Sequence, residues 1–177
     1  RGWAPLRVAI NVSPVQMRTP GFASLVLQLA ARAGVDPARF EIEVTETALL
    51  GDDPVTRGNF DVLKRFGFSI ALDDFGTGYS SLSLLQRFAV DKIKIDRSFV
   101  KELTRGTGSS SIIKAVVSIA ADRNMVTTAE GVETEEQRAT VHALGCTQMQ
   151  GYLFSRPRQA QEVRSLIGSR EAVEDAA

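Results

Sequence analysis

Short β-branched runs alternate with amphipathic stretches of helical length along most of the chain, and this alternation constrains the fold more than any other feature. The runs with the length and composition of strands are 6–12, 40–44, 68–72, 92–95, 125–129 and 146–149. The stretch after each run can return over the sheet as a helix, so neighbouring strands are expected to be parallel. The sequence therefore predicts an α/β fold built from consecutive βα units.

Local signals for the ends of helices support this alternation. Thr19-Pro20 and Asp53-Pro54 have the N-cap and first-turn chemistry that begins a helix, and Thr134 with Gln137 matches a capping box. Three glycines lie where a helix must end before the next strand, a position that favours the left-handed backbone. They are Gly34, Gly67 and Gly145.

Charge and cysteine content exclude several classes of protein. Lysine plus arginine and aspartate plus glutamate number 21 each, so the chain lacks the net positive field that binds a nucleic-acid polymer. The single cysteine, Cys146, rules out an internal disulfide and is typical of the reducing cytosol. No window has the roughly 18 consecutive apolar residues of a membrane helix, and the N-terminus lacks the zones of a signal peptide. A cytoplasmic location is expected, and other domains of a longer protein could still anchor it to a membrane.

Every predicted strand ends in a polar or charged residue. These residues are Asn11, Glu43, Asp73 with Asp74, Lys94, Glu130 and Gln150. In a barrel or a doubly wound sheet, the carboxyl ends of parallel strands meet at one mouth, where the active sites of such folds lie. A functional site is therefore expected at this end of the sheet.

The alternation of side chains along a strand predicts which residues around position 94 face the site. In a closed barrel, Lys94 and Asp96 would point inward while Ile93 and Ile95 pack outward against the helices. Lys92 shares the face of Lys94 one layer lower and is assigned no role.

The strand-end carboxylates predict a metal site. Glu43, Asp73, Asp74 and Glu130 would repel one another strongly in a dry mouth unless cations lay among them. The donor atoms are all oxygens, with no cysteine or strand-end histidine, and this favours Mg²⁺ or Mn²⁺ over zinc or copper. The one histidine, His142, lies on a predicted helix away from these ends and is interpreted as a surface residue.

The segment 73–82 follows a predicted strand and has the features of a functional loop. Its sequence is Asp-Asp-Phe-Gly-Thr-Gly-Tyr-Ser-Ser-Leu, with two glycines in a turn and hydroxyl residues that can cap the next helix. The alternative is a plain turn with adjacent capping aspartates, since Asp-Asp before glycine is common in turns.

Six segments, in order, resemble the EAL-domain cyclic di-GMP phosphodiesterases. They are Asn11-Val12-Ser13, Glu43-Val44-Thr45-Glu46-Thr47, the segment 73–82, Lys94-Ile95-Asp96, Ala129-Glu130-Gly131-Val132-Glu133, and the segment 150–157 with the sequence Gln-Gly-Tyr-Leu-Phe-Ser-Arg-Pro. The resemblance implies a TIM-like (βα) barrel of which about six of the eight βα units are present, truncated at the N-terminus. It assigns residues 1–168 to this domain, lacking its first strands, and residues 169–177 to a C-terminal tail.

The resemblance also implies a role for each residue of the mouth. The metal ligands of a two-metal Mg²⁺ or Mn²⁺ site would be Asn11, Glu43, Asp73, Asp74 and Asp96. Lys94 would orient or polarise the attacking water, and Glu130 would be either a second-metal ligand or the general base. Gln150 would contact the substrate. Glu46 and Glu133 would hold the loop that begins at Asp74, with surface salt bridging as the alternative for both.

One departure from the family is expected to matter. The Glu-Ala-Leu segment that names the family, and whose glutamate is a metal ligand, is absent, and the chain begins with Arg1 rather than Met. A barrel of this kind typically needs about 250 residues. The chain is therefore interpreted as a piece of a longer protein, with exposed sheet edges and no activity by itself.

The resemblance implies hydrolysis of cyclic di-GMP to linear 5′-pGpG in bacterial second-messenger signalling, by the intact protein. The alternatives are a degenerate EAL domain that acts as a cyclic di-GMP receptor or protein-interaction module without hydrolysis, and an unrelated barrel enzyme acting on another phosphate ester. A homodimer through the barrel and upstream sensory or diguanylate-cyclase-like domains are further expectations.

Overall fold

The computed structural model describes residues 6–50, 53–77, 81–103 and 108–163. Its strands are β1 (Val8–Val12), β2 (Phe40–Thr45), β3 (Ser69–Phe75), β4 (Lys92–Ile95), β5 (Val126–Ala129) and β6 (Gln148–Met149). Its helices are α1 (Pro14–Met17), α2 (Phe22–Ala33), α3 (Glu46–Leu49), α4 (Pro54–Arg65), α5 (Ser81–Arg87), α6 (Arg97–Glu102), α7 (Ser109–Asp122) and α8 (Glu135–Ala143). The six predicted strands are confirmed.

Most of the predicted helix caps are also confirmed. The carboxylate of Asp53 accepts from the N–H groups of Val55 and Thr56 at the start of α4, and Thr134 forms the capping box of α8 with Gln137. The three helix-ending glycines all have positive φ angles, between 62° and 92°.

The predicted cap at Thr19 is wrong. Helix α2 begins at Phe22, and its N-cap is Gly21 with a φ of 80°. The hydroxyl of Thr19 instead donates to the carbonyl oxygen of Val15 at 2.8 Å, so it closes the preceding turn and is not available to the next helix.

The strands form one parallel sheet in the order β1-β2-β3-β4-β5-β6, which is also their order in the chain. Because βα crossovers are right-handed, a sheet that never reverses its strand order carries its helices on one face. A doubly wound sheet would instead reverse at a switch point. The described residues therefore form an α/β fold with six strands of a TIM-like barrel, as an open sheet.

The two faces of this sheet differ in chemistry. The outer face packs apolar side chains under the helices, and Ile42, Val44, Ile70, Leu72, Ile93 and Ile95 are fully buried there. The inner face carries buried charged residues, among them Glu41, Glu43, Lys92 and Lys94. The predicted alternation at β4, with lysine inward and isoleucine outward, is confirmed.

The outer face is incompletely covered at β1. Val8 and Ile10, on this edge strand, are 54% and 40% exposed, and Leu25 and Leu29 of α2 are also exposed.

In the described ranges, no helix is both long enough and apolar enough to span a bilayer.

Asn59 of α4 connects three backbone groups of the segment that joins α1 to α2. Its amide nitrogen donates to the carbonyl oxygens of Met17 and Thr19 at 2.9 Å each, and its side-chain oxygen accepts from Ala23 N at 3.2 Å. The residue is 6% exposed. It therefore fixes the turn between α1 and α2, next to the strand that carries Asn11.

We expect Asn59→Ala to lower the free energy of unfolding by about 3 kcal/mol, because each buried polar group left without a partner costs about 1–3 kcal/mol. Urea unfolding followed by circular dichroism measures this change. The matched control is Asp61→Ala, an exposed position on the same helix, which should stay within about 0.5 kcal/mol of wild type. Equal stabilities for the two variants would contradict this account of the turn.

Candidate active site

The ammonium group of Lys94 lies at the centre of the carboxylates at the mouth. Its Nζ is 2.9 Å from Glu43 Oε2, 2.9 Å from Asp73 Oδ1 and 2.8 Å from Glu130 Oε1. Lys94 is only 4% exposed, so these contacts are shielded from solvent. One buried cation therefore joins carboxylates from three other segments of the sheet.

The sheet positions each of these side chains. Glu43 lies in β2, Asp73 in β3 and Lys94 in β4, so neighbouring parallel strands deliver them to the same end of the sheet. Glu130 follows β5 directly, and its backbone N–H donates to the carbonyl oxygen of Ile95 at 3.1 Å. That backbone bond holds the carboxylate of Glu130 beside Lys94.

A compact group of carboxylate oxygens adjoins this lysine. Asp73, Asp74 and Glu130 each offer one oxygen, and these oxygens all lie within 4.8 Å of one another. Carboxylate oxygens are the ligands that Mg²⁺ and Mn²⁺ prefer. The residues present therefore fit a divalent cation of this class.

Asp73 and Asp74 both reach this group because β3 is irregular. Consecutive residues in a regular strand point to opposite faces, so two adjacent aspartates would not normally share a site. The β3–β4 register shifts between Leu72 and Phe75, and Asp74 has a φ of 52°, in the left-handed region. Such irregularities re-aim side chains at active sites.

Burial and neighbouring charges perturb the titration of the mouth. Burial by itself lowers the pKa of Lys94, but hydrogen bonds to Glu130, Asp73 and Glu43 outweigh it and raise that pKa above its ordinary value. Burial raises the pKa of Glu130 against the opposing effect of Lys94. Burial and the charge of Asp73 also raise the pKa of Asp74. Lys94 is therefore held as an ammonium ion at neutral pH.

Asn11, Asp96 and Gln150 lie outside both the compact group and the ion pairs of Lys94. Asn11 is opposite Glu43 in the β1–β2 register and is exposed. Asp96 accepts a hydrogen bond from Ser98 N at 2.9 Å and caps α6. Burial alone would raise the pKa of Asp96, but hydrogen bonds from Ser98 and Arg97 lower that pKa below its ordinary value. Gln150 follows β6 and is exposed. Their roles as ligands or substrate contacts stay predictions.

The loop that begins at Asp74 is held at one point by Glu46. This first residue of α3 is 5% exposed, and its Oε1 accepts from Gly76 N at 2.8 Å. Glu133 is exposed, and its backbone N–H bonds to Gln137 Oε1 at 2.8 Å. The proposed caps at Ser80 and the turn at Gly78 lie outside the described residues, and loop coupling by Glu133 stays a prediction.

Below the mouth, the structure contains a charged layer that the sequence reasoning missed. Lys92 Nζ is 2.7 Å from Glu41 Oε2, and Arg7 lies 3.9 Å from the same oxygen. The signal was present in the sequence as Glu-x-Glu on β2 and Lys-x-Lys on β4. Both spacings place every second residue on the inner face, so that opposite charges face each other there.

His142 is exposed on α8, away from both layers.

Comparison with known proteins identifies a family. The family model described as "EAL domain" matches residues 2–157. An uncharacterized signaling protein of Caulobacter vibrioides is 44% identical over 153 residues, covering 86% of this chain and 19% of that protein. The bifunctional diguanylate cyclase/cyclic di-GMP phosphodiesterase MucR of Pseudomonas aeruginosa is 36% identical over 166 residues, covering 94% of this chain and 24% of that protein. The chain thus spans about a fifth to a quarter of these relatives.

Solved structures agree with this match. The EAL domain of Mycobacterium smegmatis DcpA superposes with a TM-score of 0.87 at 40% identity, covering 92% of this chain and 73% of that one. The PaMucR phosphodiesterase in complex with c-di-GMP gives 0.83 at 36% identity, covering 89% and 64%. A manganese and cyclic di-GMP complex of Klebsiella pneumoniae BlrP1 gives 0.79 at 37% identity, covering 85% and 39%.

We expect Lys94→Met to lower the free energy of unfolding in EDTA by about 3 kcal/mol or more, because it leaves buried carboxylates without their cation. Mn²⁺ should stabilise this variant more than wild type, because in the variant the ion no longer competes with the ammonium of Lys94. A Mn²⁺ concentration of about 100 times its Kd would raise the free energy of unfolding by about 2.7 kcal/mol. Thermal unfolding with and without Mn²⁺ measures both effects.

The matched control is Lys64→Met, which removes the ion pair with Asp91 on the helical side of the sheet. That variant should be destabilised without any additional response to Mn²⁺. If Mn²⁺ stabilises Lys94→Met no more than Lys64→Met, the ammonium of Lys94 does not compete with a metal ion at the mouth.

Proposed function

Because the chain belongs to the EAL domain family, we propose that it carries the active site of a metal-dependent phosphodiesterase that hydrolyses cyclic di-GMP. Opening one phosphodiester bond would give the linear dinucleotide 5′-pGpG. The observation that carries this proposal is the group formed by Asp73, Asp74 and Glu130 around the buried ammonium of Lys94.

Asn11, Glu43, Asp73, Asp74 and Asp96 would hold two divalent cations, with Glu130 as either a further ligand or the general base. When bound, Mg²⁺ or Mn²⁺ would supply an activated water and neutralise the charge on the phosphodiester. Neutralisation is necessary here because the mouth is rich in negative charge and the substrate is an anion. The chemistry of the donor atoms and the manganese complex of BlrP1 support this assignment.

The chain's own groups then have distinct tasks. Lys94 would keep a positive charge next to the reacting phosphate, and it would orient a water molecule by exchanging one of its three carboxylate contacts for that water. Glu130, whose pKa is raised mainly by burial, is suited either to bind a cation or to accept a proton. Gln150 would contact the nucleotide, and Glu46 would hold the loop that carries Asp74.

We place this activity in the cytoplasm, in a larger protein that dimerises through the barrel and carries regulatory domains. The bifunctional relative MucR supports a combination with a diguanylate cyclase. We assign residues 1–168 to the catalytic domain and 169–177 to a tail.

We expect Asp73→Asn in the full-length protein to abolish formation of linear 5′-pGpG, even at saturating Mn²⁺. The change removes a charge that both cations would share while it keeps the volume of the side chain. Chromatography of the nucleotide product measures the rate, and Asp61→Asn on the surface of α4 is the control. Turnover retained by Asp73→Asn would argue against a two-metal site.

Glu46→Ala should act through the loop and leave the other carboxylates in place. Losing the acceptor for Gly76 N should raise the Mn²⁺ concentration needed for half-maximal rate by about 10–100-fold, the usual cost of losing a group that supports a metal ligand. Glu46→Gln keeps an acceptor oxygen and should lie between Glu46→Ala and wild type. Wild-type kinetics for Glu46→Ala at low Mn²⁺ would show that Glu46 does not support the metal site.

A further inference from the structure

Beneath the mouth, the inner face of the sheet carries a second lysine with a carboxylate of its own. Lys92 Nζ lies 2.8 Å from Glu41 Oε1 and 2.7 Å from Glu41 Oε2. Glu41 is 3% exposed and Lys92 is 9% exposed. A buried ion pair of this kind seldom adds net stability, because desolvation offsets the attraction between the charges. Its presence below the active-site lysine therefore invites another explanation.

The two lysines make parallel bridges across the same three strands. Lys92 and Lys94 both start from β4, pass over β3, and reach Glu41 and Glu43 of β2, respectively. Ala71 of β3 pairs in register with Lys92, and its small side chain leaves room for the lower bridge. The two bridges are thus stacked, one inward-facing position apart.

The stacking places Glu41 within range of Lys94. Two residues along a strand cover about 6.6 Å, a gap that a glutamate and a lysine side chain can close together by moving toward each other. Arg7 is 3.9 Å from Glu41, but its side chain is 53% exposed and its charge is screened by water. In the described part of the chain, Lys92 is therefore the principal buried cation that neutralises Glu41.

We propose that Lys92 is a positioning residue for Lys94: it forms the ion pair with Glu41, so that the ammonium of Lys94 remains at the mouth. Without Lys92, the buried carboxylate of Glu41 would draw Lys94 downward and weaken its contacts with Asp73 and Glu130. The inference rests on the proposed function for its effect on turnover, but the position of Lys94 can be measured separately.

A double-mutant cycle separates competition for Lys94 from simple loss of an ion pair. Lys92→Gln leaves Glu41 without its buried cation and with the exposed Arg7 at 3.9 Å, whereas Glu41→Gln/Lys92→Gln removes the competing carboxylate together with its partner. We expect at least a tenfold fall in kcat with KM nearly unchanged for Lys92→Gln. The double variant should recover most of the wild-type kcat, and Lys92→Arg, which keeps the charge, should remain close to wild type.

The test uses the full-length protein labelled with ¹⁵N at lysine Nζ, with linear 5′-pGpG formation in Mn²⁺ measured in parallel. The Nζ resonance of Lys94, assigned with Lys94→Met, should shift in Lys92→Gln and return in the double variant. An unshifted resonance in Lys92→Gln, or a double variant with kcat as low as the single variant, would overturn the proposal. If Lys92→Gln does not fold, the double variant decides, because it should keep wild-type kcat and the wild-type Nζ resonance. A shifted and restored resonance in a protein without turnover would support the inference and reject the proposed function.

Discussion

The buried ammonium of Lys94 is the contact on which the architecture of the site depends. It joins Glu43, Asp73 and Glu130 at 2.8–2.9 Å, and each of these residues comes from a different segment of the chain. They meet because β2, β3, β4 and β5 are neighbours in the sheet in the same order as in the sequence. A reversal of strand order anywhere among them would separate the carboxylates from the lysine that neutralises them.

The same lysine also explains how four acids can share one end of a sheet, of which Glu43 is buried, Asp73 and Glu130 are half-buried and Asp74 is exposed. Isolated carboxylates in a dry mouth would take up protons, whereas here hydrogen bonds to Lys94 oppose the effect of burial on Glu130. One ammonium does not balance Glu43, Asp73, Asp74 and Glu130 together, and the remaining negative charge suits divalent cations. The fold thus neutralises the site in part with its own lysine and leaves a negative charge that a divalent cation would fit.

The sequence predicted the six strands and the residues at their ends because period-two patterns and polar strand ends are local signals. It also predicted the inward position of Lys94. It also placed Asp73 and Asp74 at one mouth, but it could not show how two adjacent residues both reach it, since this depends on a register shift in β3 and a left-handed residue at Asp74. Nor could it show that the hydroxyl of Thr19 bonds backward to Val15, or that Lys92 reaches Glu41 across Ala71. Those contacts arise from how strands and turns pack in three dimensions.

The central claim is that the mouth adds water to one phosphodiester bond of cyclic di-GMP, and the source of the new oxygen tests it most directly. The full-length protein would be incubated with cyclic di-GMP and Mn²⁺ in H₂¹⁸O, and the product examined by mass spectrometry after a single turnover. The account predicts linear 5′-pGpG with one ¹⁸O atom, in its terminal phosphate. Cyclic di-GMP that is bound by the protein but recovered intact would contradict the claim and place the chain among receptors of the nucleotide.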